Sequence, residues 1–222
     1  MRMRKKKHLE ERLQEVQSFL VQTDLSGGHG EPLRGTQLDL CALFGRTAPL
    51  EVEIGCGKGQ FIAALAKQNP DVDFLAVEIC SNVIVQACEK ARDAGLSNLK
   101  FLRVDAEALS VLLPPRSVRR IYLNFSCPYP KKRQEKRRLT HERFLNIYKE
   151  LLSEDGEIWQ KTDNQLLFEF SIEAFSRCGF ALREVSLDLH NSSFENNIMT
   201  EYEKRFTELG QPIYRLVARP KA

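Results

Sequence analysis

What this sequence lacks narrows it first. No stretch of apolar residues approaches the ~20 needed to span a bilayer, and the longest run is a few residues. The basic start is followed by no apolar segment, so it does not read as a secretory signal. No two cysteines stand at C-x-x-C spacing: Cys41, Cys56, Cys80, Cys88, Cys127 and Cys178 are scattered. That spacing argues against a disulfide framework or a zinc site, so no metal is expected, and reduced thiols in the cytoplasm fit better. No internal repeat is visible. Net charge is only +3, so the total says little about partners.

What is there has the size of one domain: 222 residues, 42% apolar and 28% charged, as in a soluble globular protein. The distribution of charge is more informative than its sum. Met1–Lys7 carries Arg2, Arg4, Lys5, Lys6 and Lys7, and Lys131–Arg138 carries six basic residues against one glutamate. Two basic clusters on a nearly neutral chain point to a local grip on a polyanion; a solvated charged face would look the same.

Residues 1–49 read as a basic, amphipathic extension with a Gly/Pro-rich connection at Ser26–Pro32, and 50–222 as the main domain. Strands are predicted over 50–54, 72–77, 99–104, 119–124, 157–161, 180–188 and 213–218. Helices are predicted over 61–67, 82–94, 141–152 and 166–177, the second stopped by Gly95 and the last by Gly179. Strands separated by helices of about ten residues imply right-handed crossovers and a mostly parallel α/β sheet. In such a sheet the ligand lies beyond the carboxyl ends of the strands.

Those ends carry the chemistry. The first strand runs into Glu53-Ile54-Gly55-Cys56-Gly57-Lys58-Gly59. Glycines at Gly55 and Gly57 let the backbone turn tightly and approach a ligand. The G-x-G-x-x-G register of a dinucleotide fold is broken, because Gln60 stands at the third glycine. Glu53 would also repel a pyrophosphate and suits a cationic ligand such as a sulfonium. The next strand ends in Glu78, placed to accept from ribose hydroxyls. The third ends in Asp105, placed to accept from an adenine amine, with Ala106 donating from its backbone. Singly, each could be a helix cap or a solvated turn; jointly they point to S-adenosylmethionine. The fourth strand ends in Asn124 and continues as Phe125-Ser126-Cys127-Pro128-Tyr129-Pro130, a proline-stiffened turn with an aromatic able to stack on a base.

Glu53-Ile-Gly-x-Gly-x-Gly59, Tyr122–Ser126, Pro128-Tyr129-Pro130-Lys131-Lys132-Arg133, Lys161–Asn164 and Asn197–Glu203 together resemble the bacterial tRNA (guanine-N7)-methyltransferases. The likeness runs from about Leu50 to Tyr214. It implies a Rossmann-like class I methyltransferase fold, with a seven-stranded mostly parallel sheet and helices on both faces. It implies S-adenosylmethionine as cofactor, the variable-loop guanine of tRNA as substrate, and a monomer or homodimer. Glu53, Gly55, Gly57, Glu78, Ile79, Asp105, Ala106 and Asn124 correspond to cofactor contacts. Lys131, Asp163, Thr200, Glu201, Tyr202 and Glu203 correspond to substrate contacts, and Thr200 with Glu203 also reads as a helix capping box. Cys127 stands where the family has a suspected catalytic aspartate, and Tyr129 where tryptophan is usual. A cysteine does not supply an aspartate's charge at neutral pH, so an RNA-binding protein with weak or lost catalysis is the alternative. The polar segment 189–199 reads as a lid.

Overall fold

The computed structural model describes residues 8–28, 31–195 and 197–221. The basic run Met1–Lys7, the middle of the Ser26–Pro32 connection (residues 29–30) and residue 196 of the expected lid lie outside the described residues. The chain divides into two compact units, Met1–Pro114 and Pro115–Ala222.

The first unit contains α1 (Leu9–Glu15), β1 (Ser26–Gly28), β2 (Glu31–Arg34), α2 (Leu40–Phe44), β3 (Leu50–Ile54), α3 (Gln60–Gln68), β4 (Asp73–Val77), α4 (Ser81–Asp93), β5 (Leu99–Leu102) and α5 (Leu109–Leu112). β3, β4 and β5 are parallel, with Ile54 opposite Val77 and Val77 opposite Leu102. Every residue of β3 and β4 is buried, the mark of strands covered on both faces. Ile62, Ala66, Phe74, Ile84, Cys88 and Phe101 form the core, joined by Leu9 and Val16.

That last pair alters the reading of the extension. From Leu9 onward it belongs to the first unit's core. Arg12 forms a two-pronged ion pair with Glu89 of α4, both hydrogen bonds at 2.6 Å. Leu20 bridges Phe101 in parallel, and Val21 N–H donates to Phe101 O at 2.8 Å. The segment therefore covers the free edge of β5. The Gly/Pro-rich connection forms the antiparallel hairpin β1–β2.

The second unit contains β6 (Val118–Asn124), α6 (Glu142–Leu151), β7 (Leu152–Thr162), α7 (Gln165–Arg177), β8 (Phe180–Ser186), α8 (Glu201–Glu208) and β9 (Tyr214–Pro220). β6 and β7 are parallel, with Asn124 opposite Lys161 at their tips. β9 runs antiparallel to both β7 and β8. Phe144, Leu145, Tyr148, Leu167, Phe168 and Phe175 on the helices and Ile121, Leu123, Ile158 and Leu216 on the strands are buried. The seven strands of the large sheet follow the order β5-β4-β3-β6-β7-β9-β8, so the expected mostly parallel α/β sheet is present. β7 begins five residues before its predicted start, because an irregularity between Val118 and Arg120 lets the ladder begin at Leu152 and resume at Glu157.

Candidate active site

At the tip of β3 the chain turns through Gly55 and Gly57, at φ +80° and +57°, conformations that cost a side-chain-bearing residue free energy. A Cβ added at either position would meet nothing within 4 Å, so the backbone here faces open space. Gly59, at φ +71°, differs: its Cβ would lie 2.6 Å from the Cβ of Ala87. Gly59 is thus required by the packing of α3 against α4, whereas Gly55 and Gly57 leave room for a ligand.

Acidic groups surround the turn. Glu53 is 2% exposed. Glu78, at the tip of β4, accepts from Gly57 N–H at 3.2 Å and from Cys80 N–H at 2.9 Å. Each of its oxygens is oriented by one backbone donor and keeps acceptor capacity for another. Ile79 beside it is 66% exposed. Asp105 is exposed and caps the short turn after β5, accepting from Glu107 N–H at 3.1 Å, while Ala106 is buried. Both readings of Asp105, cap and ligand acceptor, remain compatible. Burial, with the Glu53 and Glu78 charges nearby, pushes the Cys56 thiol well above its ordinary range. Cys56 therefore stays protonated and acts as a small apolar group. An acceptor set of carboxylates over open glycine backbone fits a cationic ligand bearing hydroxyl and amine donors, and fits a phosphate poorly.

In the second unit, β6 ends at Asn124, 8% exposed. Phe125 follows at φ +50° and Tyr129 at φ +40°. Two bulky residues in left-handed backbone within one short turn hold about 1–3 kcal/mol of strain each. Cys127, between them, is exposed, and so is Lys131. Asp163 follows the tip of β7 and is half-buried.

Thr200 and Glu203 form the capping box anticipated from the sequence, with Glu203 N–H donating to Thr200 Oγ1 at 2.9 Å. Glu203, expected as a substrate contact, is 0% exposed and turned inward. Its carboxylate takes Lys161 Nζ at 2.7 Å, His190 Nε2 at 3.3 Å and Asn197 Nδ2. Lys161 also donates to Ile198 O at 2.9 Å. A buried cation requires such a partner, and the mixed polar sequence of β7 gives no local sign that Lys161 is buried. What this turn presents to solvent is Tyr202, 60% exposed, stacked on Phe125 at 6.4 Å and Phe206 at 6.2 Å between centroids. The side chain of Glu201 lies outside the described residues.

The segment expected to be a lid is fastened here. Leu189 is buried, and Phe194 packs edge-on against Trp159 at 6.0 Å and beneath the Arg215 guanidinium at 3.8 Å. Arg120 and Arg215 both stack on the Trp159 ring, at 4.2 and 4.7 Å.

Comparison with known proteins gives the family. A family model described as "Putative methyltransferase" matches residues 47–216. A tRNA (guanine-N(7)-)-methyltransferase of Bacillus subtilis is 53% identical over 173 residues, covering 78% of this chain and 81% of that protein. One from Bacillus cytotoxicus is 44% identical over 219 residues, covering 99% of this chain and 97% of the other. One from Streptococcus agalactiae is equally similar, covering 99% and 100%. Among solved structures, the 16S rRNA methyltransferase KamB shares the fold with a TM-score of 0.63 at 14% identity, covering 87% of this chain and 98% of that one. The glycine turn, the carboxylates at the strand tips and the relatives at 44–53% identity converge: this chain belongs to the tRNA (guanine-N7)-methyltransferase family.

Proposed function

We propose that this chain transfers a methyl group from S-adenosylmethionine to N7 of the variable-loop guanine in tRNA. One observation carries the reading: the Gly55–Gly57 backbone opens onto free space beside a Glu78 carboxylate that its own main chain orients. When bound, the cofactor supplies a methyl group made electrophilic by a positively charged sulfur.

The chain's own residues do the rest. Glu53, buried below the turn, places negative charge in a low-dielectric setting where it acts strongly on a cation. Glu78 takes the ribose hydroxyls, Asp105 and Ala106 the adenine edge, and Ile79 lines the same ligand. Lys131, Lys132, Arg133, Lys136 and Arg137, all exposed, grip the phosphate backbone. Asp163 accepts from guanine N1–H and N2–H2, while Thr200, Glu201 and Tyr202 present the helix start to the RNA, with Glu203 anchoring that turn from inside. N7 carries an in-plane lone pair and no proton, so no general base is required. The protein's task is alignment, which can contribute ~7–11 kcal/mol to a reaction of this kind. Cys127 sits beside that path without the family's charge. tRNA as substrate puts the work in the cytoplasm; among the described residues no helix is long and apolar enough to cross a membrane.

The test is to incubate unmodified tRNA with the protein and S-adenosylmethionine and to map modified nucleosides by mass spectrometry. 7-Methylguanosine should appear in the variable loop. Its absence, or a methyl group on another base, overturns the proposal.

A further inference from the structure

Arg138 ends the basic run Lys131–Arg138 but does not share its exposure. Its side chain is 11% exposed. Arg138 Nε donates to Pro128 O at 3.0 Å and Nη2 donates to Tyr129 O at 3.2 Å. The plane of the guanidinium lies over the ring of Phe170 on α7, at 4.4 Å. Two residues on, Thr140 is fully buried and hydrogen-bonded to Ser171 at 2.8 Å. Ser171 also receives Gln160 Nε2 at 2.9 Å and donates to Leu167 O at 2.7 Å. The main chain behind Arg138 is thereby tied to both α7 and β7. The guanidinium is held from behind and from below, while its donors take two consecutive carbonyls of the turn that contains Cys127.

That turn has a physical need for such a clamp. Tyr129 sits at φ +40°, and a residue there persists only when its surroundings impose it. A planar guanidinium can span two carbonyls at fixed geometry; an ammonium on a flexible stem cannot. We propose that Arg138 is a positioning residue, which holds the Cys127-Pro128-Tyr129 turn in the shape it presents to the guanine, and that it takes no part in the phosphate grip of its neighbours. The inference rests on the function proposed above, which puts this turn beside the reacting base.

The experiment compares Arg138→Lys, Arg138→Gln and, as a solvent-facing member of the same run, Lys136→Gln. Amide hydrogen exchange in the protein without RNA is read at Cys127, Tyr129 and Lys131. Both Arg138 variants should exchange faster there by roughly tenfold or more as local opening becomes easier, and Lys136→Gln should match wild type. At saturating tRNA, both Arg138 variants should lose roughly ten- to hundredfold in kcat, as misplacement near the chemistry does. Their tRNA KM and the salt dependence of tRNA binding should hold. Lys136→Gln should do the reverse, weakening tRNA binding and shrinking the log–log salt slope by about one unit. Lysine keeps the charge and most surface packing, so Arg138→Lys carries the comparison should Arg138→Gln fail to fold. Unchanged exchange in the Arg138 variants, recovery of kcat by lysine, or a reduced salt slope overturns the proposal. A wild-type protein that leaves tRNA unmethylated sinks the proposed function instead, while the exchange comparison still decides whether Arg138 holds the turn.

Discussion

Cys127 is one of two positions, with Tyr129, at which this sequence departs from the pattern it resembles. The thiol is exposed at the turn after β6, where a carboxylate would add negative charge beside a cationic donor. Cys127→Asp is expected to raise kcat or cofactor affinity by roughly three- to tenfold, about 1 kcal/mol of extra electrostatic stabilisation. Steady-state kinetics with cofactor titration reads it, and flat or falling values would refute the idea. Lys161 carries a different load. Its ion pair with Glu203 is almost fully buried, at 7% and 0% side-chain exposure. Lys161→Met strands a carboxylate in the interior and should cost about 3–5 kcal/mol of stability, read as a shift in the urea midpoint. A loss below 1 kcal/mol would mean that Glu203 finds other compensation.

Among the elements, the glycine turn and the α3–α4 contact make a paired forecast. Gly59→Ala forces a Cβ against Ala87 at a left-handed position, so a loss of about 2–4 kcal/mol is expected from overpacking and backbone strain together. Gly55→Ala meets no atom within 4 Å and should cost only about 1–2 kcal/mol, while cofactor affinity falls more than tenfold because the new methyl group occupies ligand space. Thermal unfolding and isothermal titration separate the two effects. The contact of α1 with α4 has a pH signature. The Arg12 hydrogen bond, opposed by burial and helped by the Arg12 charge, holds the Glu89 carboxyl below its ordinary range. A lowered folded value means that the stabilisation is fully present above the unfolded glutamate value of ~4.3 and is lost as pH falls through the folded value. Arg12→Met should therefore destabilise by roughly 1 kcal/mol at pH ~7 and by progressively less at acid pH, as the Glu89 carboxylate is protonated. Equal losses at neutral and acid pH would show that packing, not charge, makes this contact. The alternating strands and helices were legible because period-2 and period-3.6 patterns are local. The docking of α1 on α4 and of Leu20 and Val21 on β5 was not: Leu20 meets Phe101 across some eighty residues, and no local pattern encodes that encounter. A run of like charges likewise has no periodicity to reveal that Arg138 turns inward and its neighbours outward. Glu78 directly follows the apolar β4, Glu53 lies within β3 one residue from its end and Asp105 stands three residues past β5, so their places at the strand ends follow from local pattern, whereas the inward turn of Glu203 depends on Lys161, Asn197 and His190 arriving from elsewhere.

For the molecule as a whole, basic charge is spread unevenly over a chain with a net charge of only +3. tRNA affinity should fall steeply with salt, since each neutralised phosphate releases bound counterions. Removal of Met1–Lys7, which holds five of the basic residues, should weaken tRNA binding and flatten that salt slope with cofactor affinity intact; filter binding over a salt series checks it, and an unchanged dissociation constant would count against it. One feature of the second unit also makes the protein its own reporter. Trp159 is the chain's single tryptophan, and it lies against Phe194 of the segment expected to be a lid and under two guanidinium groups. Intrinsic emission excited at the indole band therefore comes from one site, quenched or shifted according to whether that segment is seated, so its motion on meeting RNA can be timed in a stopped-flow cell with no dye attached.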